Sequence, residues 1–322
     1  MNLRRGRASA ATLLAAAALS GCALLQLPPQ TAALLATAPT NLPARVERTQ
    51  VPFFPQTPYH CGPAALATVL TDVGLPGDPV ALGDAVFLPG RGGSLQLEML
   101  AGARRQGAVA TRLPGELNAL LREVAAGHAV LVLQNLGLGF APMWHYAVLV
   151  GYDLKARELL LRSGTDKQAR LSMRTFEHTW ARAGHWAIVA LPPGQLPVTA
   201  LEADAIDAVL GFGRVAPPAP LAQAWRATSA RWPDNLLAAM GLGNALHAAG
   251  DLRGAAQAFE QAAGRHDSAA AWHNLALTRA ALGEADAARQ AARRAVDRAR
   301  AAEPNWLAAA LQAQRELNGN PH

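Results

Sequence analysis

Apolar and polar positions divide the chain into segments of different texture. Over 64–73, alanines with Leu66, Val69 and Leu70 recur at helical spacing until Gly74-Leu75-Pro76-Gly77 breaks the pattern. A short helix is predicted over 79–87. Another follows Ser94, read as its N-cap, and runs through Leu95, Leu97, Met99 and Leu100 to Gln106-Gly107. Val51-Pro52-Phe53-Phe54 reads as a short extended segment. From Val109 the period shortens: strands are predicted over 109–113, 129–133, 145–152, 158–163 and 185–191, with helices over 116–126 and 173–183. Residues 153–157 join two of these strands as a hairpin turn. Helices first and strands afterwards indicate an α+β domain over 47–194, closed by Pro192-Pro193-Gly194.

Beyond a linker over 195–216, strand formers nearly vanish and alanine dominates. Helical patches over 221–231, 236–249, 255–263, 270–282 and 287–299 are followed by Pro304-Asn305-Trp306, which opens one more. Gly250-Asp251 and Gly283-Glu284 lie 33 residues apart, as do Ala255 and Ala288, and Ala239 and Trp272. This spacing resembles tetratricopeptide repeats, whose helix pairs must stack because one pair cannot bury its apolar face alone. The expectation is an all-α repeat solenoid over 217–320. Such arrays hold a peptide or protein partner, or act as a packing appendage.

The N-terminus is different again. Arg4, Arg5 and Arg7 precede an apolar run over 8–19, too short to span a bilayer, and then Leu19-Ser20-Gly21-Cys22. This resembles a bacterial lipoprotein signal. The resemblance implies a signal peptide over 1–21, membrane attachment through lipid on Cys22, and, with Ala23 next, an outer-membrane lipoprotein facing the periplasm. Residues 22–46, with Pro28, Pro29, Pro39 and Pro43, read as an extended tether. The formal charge of +6 falls to about +3 without the leader arginines, too weak to argue for nucleic acid. With two cysteines in the sequence and Cys22 in the leader motif, Cys61 is the only thiol of the folded body.

Cys61 stands before Gly62-Pro63 and the 64–73 helix, where the positive end of the helix favours the thiolate. A buried structural cysteine is the competing reading. A nucleophilic thiol needs an imidazole from elsewhere in the chain. Of the nine histidines, His145 begins a buried strand, and His185 is a second candidate. The Gly90-Arg91-Gly92-Gly93 loop lacks the Lys-Ser or Lys-Thr of a phosphate cradle. No cluster has metal-ligand spacing, so no cofactor is expected.

Gln56, then Cys61-Gly62-Pro63-Ala64-Ala65-Leu66, and far downstream His145-Tyr146-Ala147-Val148-Leu149-Val150-Gly151-Tyr152, resemble the papain-like cysteine peptidases of the bacteriocin-processing, double-glycine leader type. The resemblance covers about 47–193. It implies Cys61 as nucleophile, His145 as general base and acid, Gln56 as oxyanion donor, and a peptide or protein substrate. The sequence departs from the pattern at the third position, where the family carries an aspartate behind the histidine. Asp153 is too far along the strand, about 26 Å from His145 at 3.3 Å per residue. Folding the hairpin about 154–156 brings His145 opposite 163–165, which leaves Ser163 by alignment and Asp166 as the nearest carboxylate. Two readings stay open: a membrane-anchored cysteine peptidase acting through a Cys-His thioester, and a degenerate peptidase fold kept for protein interaction.

Overall fold

The computed structural model describes residues 27–37, 42–56 and 60–319. Cys22, the leader motif and Thr57-Pro58-Tyr59 lie outside the described residues. The first domain contains β1 (Arg45–Glu47), β2 (Val109–Arg112), β3 (Val130–Asn135), β4 (Trp144–Asp153), β5 (Glu158–Ser163), β6 (Asp166–Ser172) and β7 (Ala187–Leu191). Its helices are α1 (Pro29–Ala36), α2 (Cys61–Asp72), α3 (Pro79–Val86), α4 (Gln96–Arg105), α5 (Leu117–Ala125) and α6 (Met173–Ala181). The second part is α7 (Glu202–Phe212), α8 (Pro218–Arg231), α9 (Leu236–Ala248), α10 (Leu252–His266), α11 (Ala269–Ala281), α12 (Ala285–Ala301) and α13 (Leu307–Gly319). The α+β domain followed by a helical repeat array is thus borne out.

The antiparallel sheet has the order β2-β7-β3-β4-β5-β6, and β1 pairs with the far end of β4. Alternation along its strands builds a core on each face. Leu131, Leu133, Tyr146, Val148, Val150, Leu160 and Ile188 meet α2, α3 and α4. Val132, Ala147, Leu149, Leu159, Leu161 and Val189 meet α1, α5 and α6. Residues Gly62 through Leu70 of α2 are all buried, so this helix is apolar all round and sits between the sheet and α3 and α4.

Several expectations change. The helix read over 64–73 starts at Cys61 itself, because the first N–H groups of a helix have no partner and Pro63 costs nothing there. Ser94 is not an N-cap; Leu95 takes that position without a side-chain cap. Strand β6 went unread because its polar, exposed residues carry no period-2 apolar signal. Strand β1, at Arg45–Glu47, was likewise unread, and the extended segment expected at Val51 through Phe54 lies outside the sheet. The 22–46 stretch is not simply extended: α1 docks on α5 and α6, with Thr31 and Leu34 buried. Nor is 195–216 a bare linker, since α7 packs against the edge strand β2 with Val109, Ile206, Val209 and Phe212 in one core.

In the array, α9 and α11 begin 33 residues apart, as do α10 and α12. Gly250 and Gly283 both take positive φ, +82° and +77°, at the turns between them, a conformation that explains the periodic glycine.

Candidate active site

Cys61 opens α2, and it is the one free cysteine among the described residues. It is half-buried against the core cluster that contains Tyr146. Its amide and that of Gly62 belong to the first turn, where N–H groups find no acceptor within the helix. Gly62 is required by packing: a Cβ there would lie 2.6 Å from Ser94 Oγ and 3.2 Å from Met99 Sδ. The N-cap His60 turns away and stacks on Phe87, with ring centroids 5.1 Å apart.

His145 lies near the start of β4, the strand on which α2 packs. Its Nε2 is 2.8 Å from Ser163 Oγ at the end of β5. When Nε2 carries the proton and donates to Ser163, Nδ1 keeps its lone pair and is the nitrogen able to take a thiol proton. Burial holds the imidazole below its ordinary pKa of 6.5. Burial, and after it the charge of Cys61, push the phenol of Tyr146 above its usual range.

Gln56 is half-buried, and its backbone N–H donates to Gly164 O at 3.0 Å, tying the approach to Cys61 onto the turn after Ser163. Asp166 is exposed and its Oδ1 accepts from Gln168 N at 2.8 Å; the hydrogen-bond partner the structure gives His145 is Ser163. The rival histidine, His185, packs edge-on against Trp180 with centroids 4.7 Å apart, before β7.

Arg162, which the sequence reading passed over, is 2% exposed. Its guanidinium donates to Val51 O, Arg48 O, Thr49 O and Lys167 O. It thereby fixes the 48–51 segment that leads to Gln56, and the adjacent Ser163 inherits that rigidity. The signal was a lone arginine closing an apolar strand, Glu158-Leu-Leu-Leu-Arg-Ser163. Beside Cys61 a cavity of about 610 Å³ is lined by Pro63, Ala64, Val80, Gly83, Asp84 and Phe87, among others. Among the described residues no group of three His, Cys, Asp or Glu could hold a metal ion.

Residues 48–188 match the family model described as the Peptidase_C39 like family. Among solved structures, a C39-like peptidase from Bacillus anthracis is 19% identical, with a TM-score of 0.40, over 46% of this chain and 97% of that one. The peptidase domain of Streptococcus ComA, a bi-functional ABC transporter, is 19% identical with a TM-score of 0.35, over 44% and 99%. MamA is 16% identical with a TM-score of 0.29, over 37% and 77%. No curated protein sequence matches the chain. The resemblance read from the Cys61 and His145 motifs is borne out over the matched residues.

Proposed function

We propose that the chain is a cysteine peptidase in which Cys61 is the nucleophile and His145 its base and acid. The observation that carries this reading is the His145 Nε2 to Ser163 Oγ hydrogen bond, on a strand packed against the helix that Cys61 begins. Nδ1 takes the Cys61 proton as the sulfur attacks a peptide carbonyl. The oxyanion is met by the α2 N-terminal amides and the Gln56 side-chain amide, a donor worth about 3 kcal/mol in a comparable site. The imidazolium then protonates the leaving amine, and water hydrolyses the thioester with the same imidazole as base. The fold supports a peptide or protein substrate, with the helical array as a holding surface for substrate or partner. By the leader motif, lipid on Cys22 would tether the enzyme to the outer membrane, facing the periplasm.

The absence of a carboxylate at the Ser163 position favours the second reading, a degenerate peptidase fold used for binding. Thiol reactivity separates the two. Cys61 is expected to alkylate with iodoacetamide faster than free cysteine at pH 6–7, and His145→Ala to remove that excess and lower peptide hydrolysis by about 10³-fold or more. A Cys61 no faster than free cysteine and indifferent to His145→Ala overturns the enzyme reading. A Cys22→Ser chain released from the membrane fraction checks the tether.

A further inference from the structure

The loop between β3 and β4 carries Leu136, Leu138, Phe140, Met143 and Trp144, exposed by 45%, 57%, 87%, 62% and 55%. No residue from Leu136 to Trp144 is charged. Despite its exposure the loop is tightly built. Leu136 N donates to Met143 O at 2.8 Å, and Leu138 and Ala141 exchange backbone hydrogen bonds at 3.1 Å. Buried Asn135 accepts from Gly137 N at 3.0 Å and Met143 N at 2.9 Å through its side chain, and its carbonyl accepts from Arg182 at 3.0 and 3.1 Å. Gly137 has no room for a Cβ, which would sit 2.3 Å from Ala141 O. The result is an ordered hairpin with Gly139 and Phe140 at its tip.

We propose that this hairpin is a prong that inserts into a lipid surface. Two features favour a bilayer over a peptide segment. The prong is convex, and the cavity beside Cys61 is lined by residues of α2, α3 and their neighbours with none from this loop. A peptide side chain seeks a concavity. A bilayer accepts a projecting apolar hairpin whose flanking N–H groups are already paired, as those of Leu136, Gly137, Leu138, Ala141 and Met143 are, with Pro142 carrying none; the tip amides of Gly139 and Phe140 would be left to headgroup oxygens. Trp144 at the base suits the headgroup level.

The second, independent argument is where the preceding chain joins the fold. Gln30 of α1 donates to Gly115 O at 2.9 Å and accepts from Leu117 N, just after β2 ends. A Cβ at Gly115 would lie 3.0 Å from His185 Cβ, just before β7 begins. Through the β3–β7 pairing this is the sheet end from which the prong projects. The described chain therefore enters at the prong end of the domain, five residues after Cys22 in sequence. The same end holds His145, so the prong would set the site beside the membrane surface. The prong itself does not require Cys22 to be acylated.

The test uses the full chain with Cys22→Ser, Cys61→Ser and Phe140→Cys, labelled at the single thiol with nitrobenzoxadiazole and mixed with phosphatidylethanolamine–phosphatidylglycerol vesicles. Doxyl-labelled lipids should quench the label and iodide should lose access to it. A Lys155→Cys label, at the opposite end of the β4–β5 hairpin, should stay open to iodide and unquenched by lipid. Leu138→Asp should reduce lipid quenching at position 140 at least fivefold, with the thermal transition unchanged. A position-140 label that stays open to iodide and untouched by doxyl lipid overturns the proposal. So does an emission shift caused only by an apolar peptide without vesicles, which would assign the prong to substrate. Acylation of Cys22, read by mass on the unmodified chain, is decided separately and leaves this outcome unaffected.

Discussion

Ser163 does part of what a carboxylate does behind an imidazole. When Nε2 carries the proton, Ser163 accepts its hydrogen bond at 2.8 Å and fixes the ring plane, but it brings no charge to stabilise the imidazolium. Burial is the named cause of the His145 shift, and its direction is downward. Without a carboxylate behind it, such an imidazole holds a thiolate partner less firmly than one backed by an aspartate. Ser163→Ala should lower kcat/KM about tenfold, or about 1.4 kcal/mol, mainly through kcat. Ser163→Asp should raise the imidazole pKa, move the alkaline limb of the pH–rate profile upward, and speed Cys61 alkylation near pH 6. A Ser163→Ala enzyme with an unchanged pH profile would mean that some other group orients His145. Strand register pointed to Ser163 as readily as composition pointed to Asp166; Asp166 is exposed and accepts from Gln168 N within its own turn.

At the scale of elements, what the sequence made legible was what a period can carry. The buried strands β3, β4, β5 and β7 and the alanine-rich helices of the array repeat apolar residues at a fixed spacing, and the structure places them within a few residues of the predicted bounds. Polar β6, docked α1 and edge-covering α7 depend on contacts with distant elements, which no local pattern encodes. The site follows the same division. Cys61, His145 and Gln56 were visible as motifs, whereas Arg162 and Gly62 act through partners remote in sequence. Arg162→Met should strand the carbonyls of Val51, Arg48, Thr49 and Lys167, cost about 3 kcal/mol in urea unfolding, and slow Cys61 alkylation by loosening the approach to Gln56. Gly62→Ala should cost about 1–3 kcal/mol, because its Cβ meets Ser94 Oγ at 2.6 Å and Ser94 Cβ at 2.8 Å. Ser94→Gly removes both atoms, so the double variant should recover most of that loss. A double variant no better than Gly62→Ala would place the strain at Met99 instead.

For the whole molecule, the decisive joint is the 197–200 segment, held from two sides. Glu123, buried on α5, accepts from Thr199 N at 2.6 Å, Thr199 Oγ1 at 2.5 Å, Val198 N at 3.2 Å and His128 Nδ1 at 2.6 Å. Arg231, at the end of α8, donates to Pro197 O at 2.6 Å and to Val198 O at 2.9 Å. A carboxylate from the peptidase domain takes the N–H groups of the joint and a guanidinium from the array takes its carbonyls, so the two parts are fastened through one strip of backbone. Burial alone would raise the Glu123 pKa, but the hydrogen bonds from His128 and Thr199 outweigh it and hold the carboxyl below its usual value of 4.5. With the folded value depressed, the unfolded chain binds the extra proton. The contribution of Glu123 is therefore complete above about pH 4.5 and is lost progressively as pH falls through the lower folded value. Acid should open the joint first, seen as proteolytic cleavage near 195–201 that begins below about pH 4.5 while the β3 and β4 core stays protected. Glu123→Gln should lower stability by about 2 kcal/mol at pH 7 and flatten its pH dependence in that window, since an amide cannot accept from four donors or titrate. Cleavage that begins in the core, or a Glu123→Gln chain with the same acid profile, would move the weak point of the molecule elsewhere.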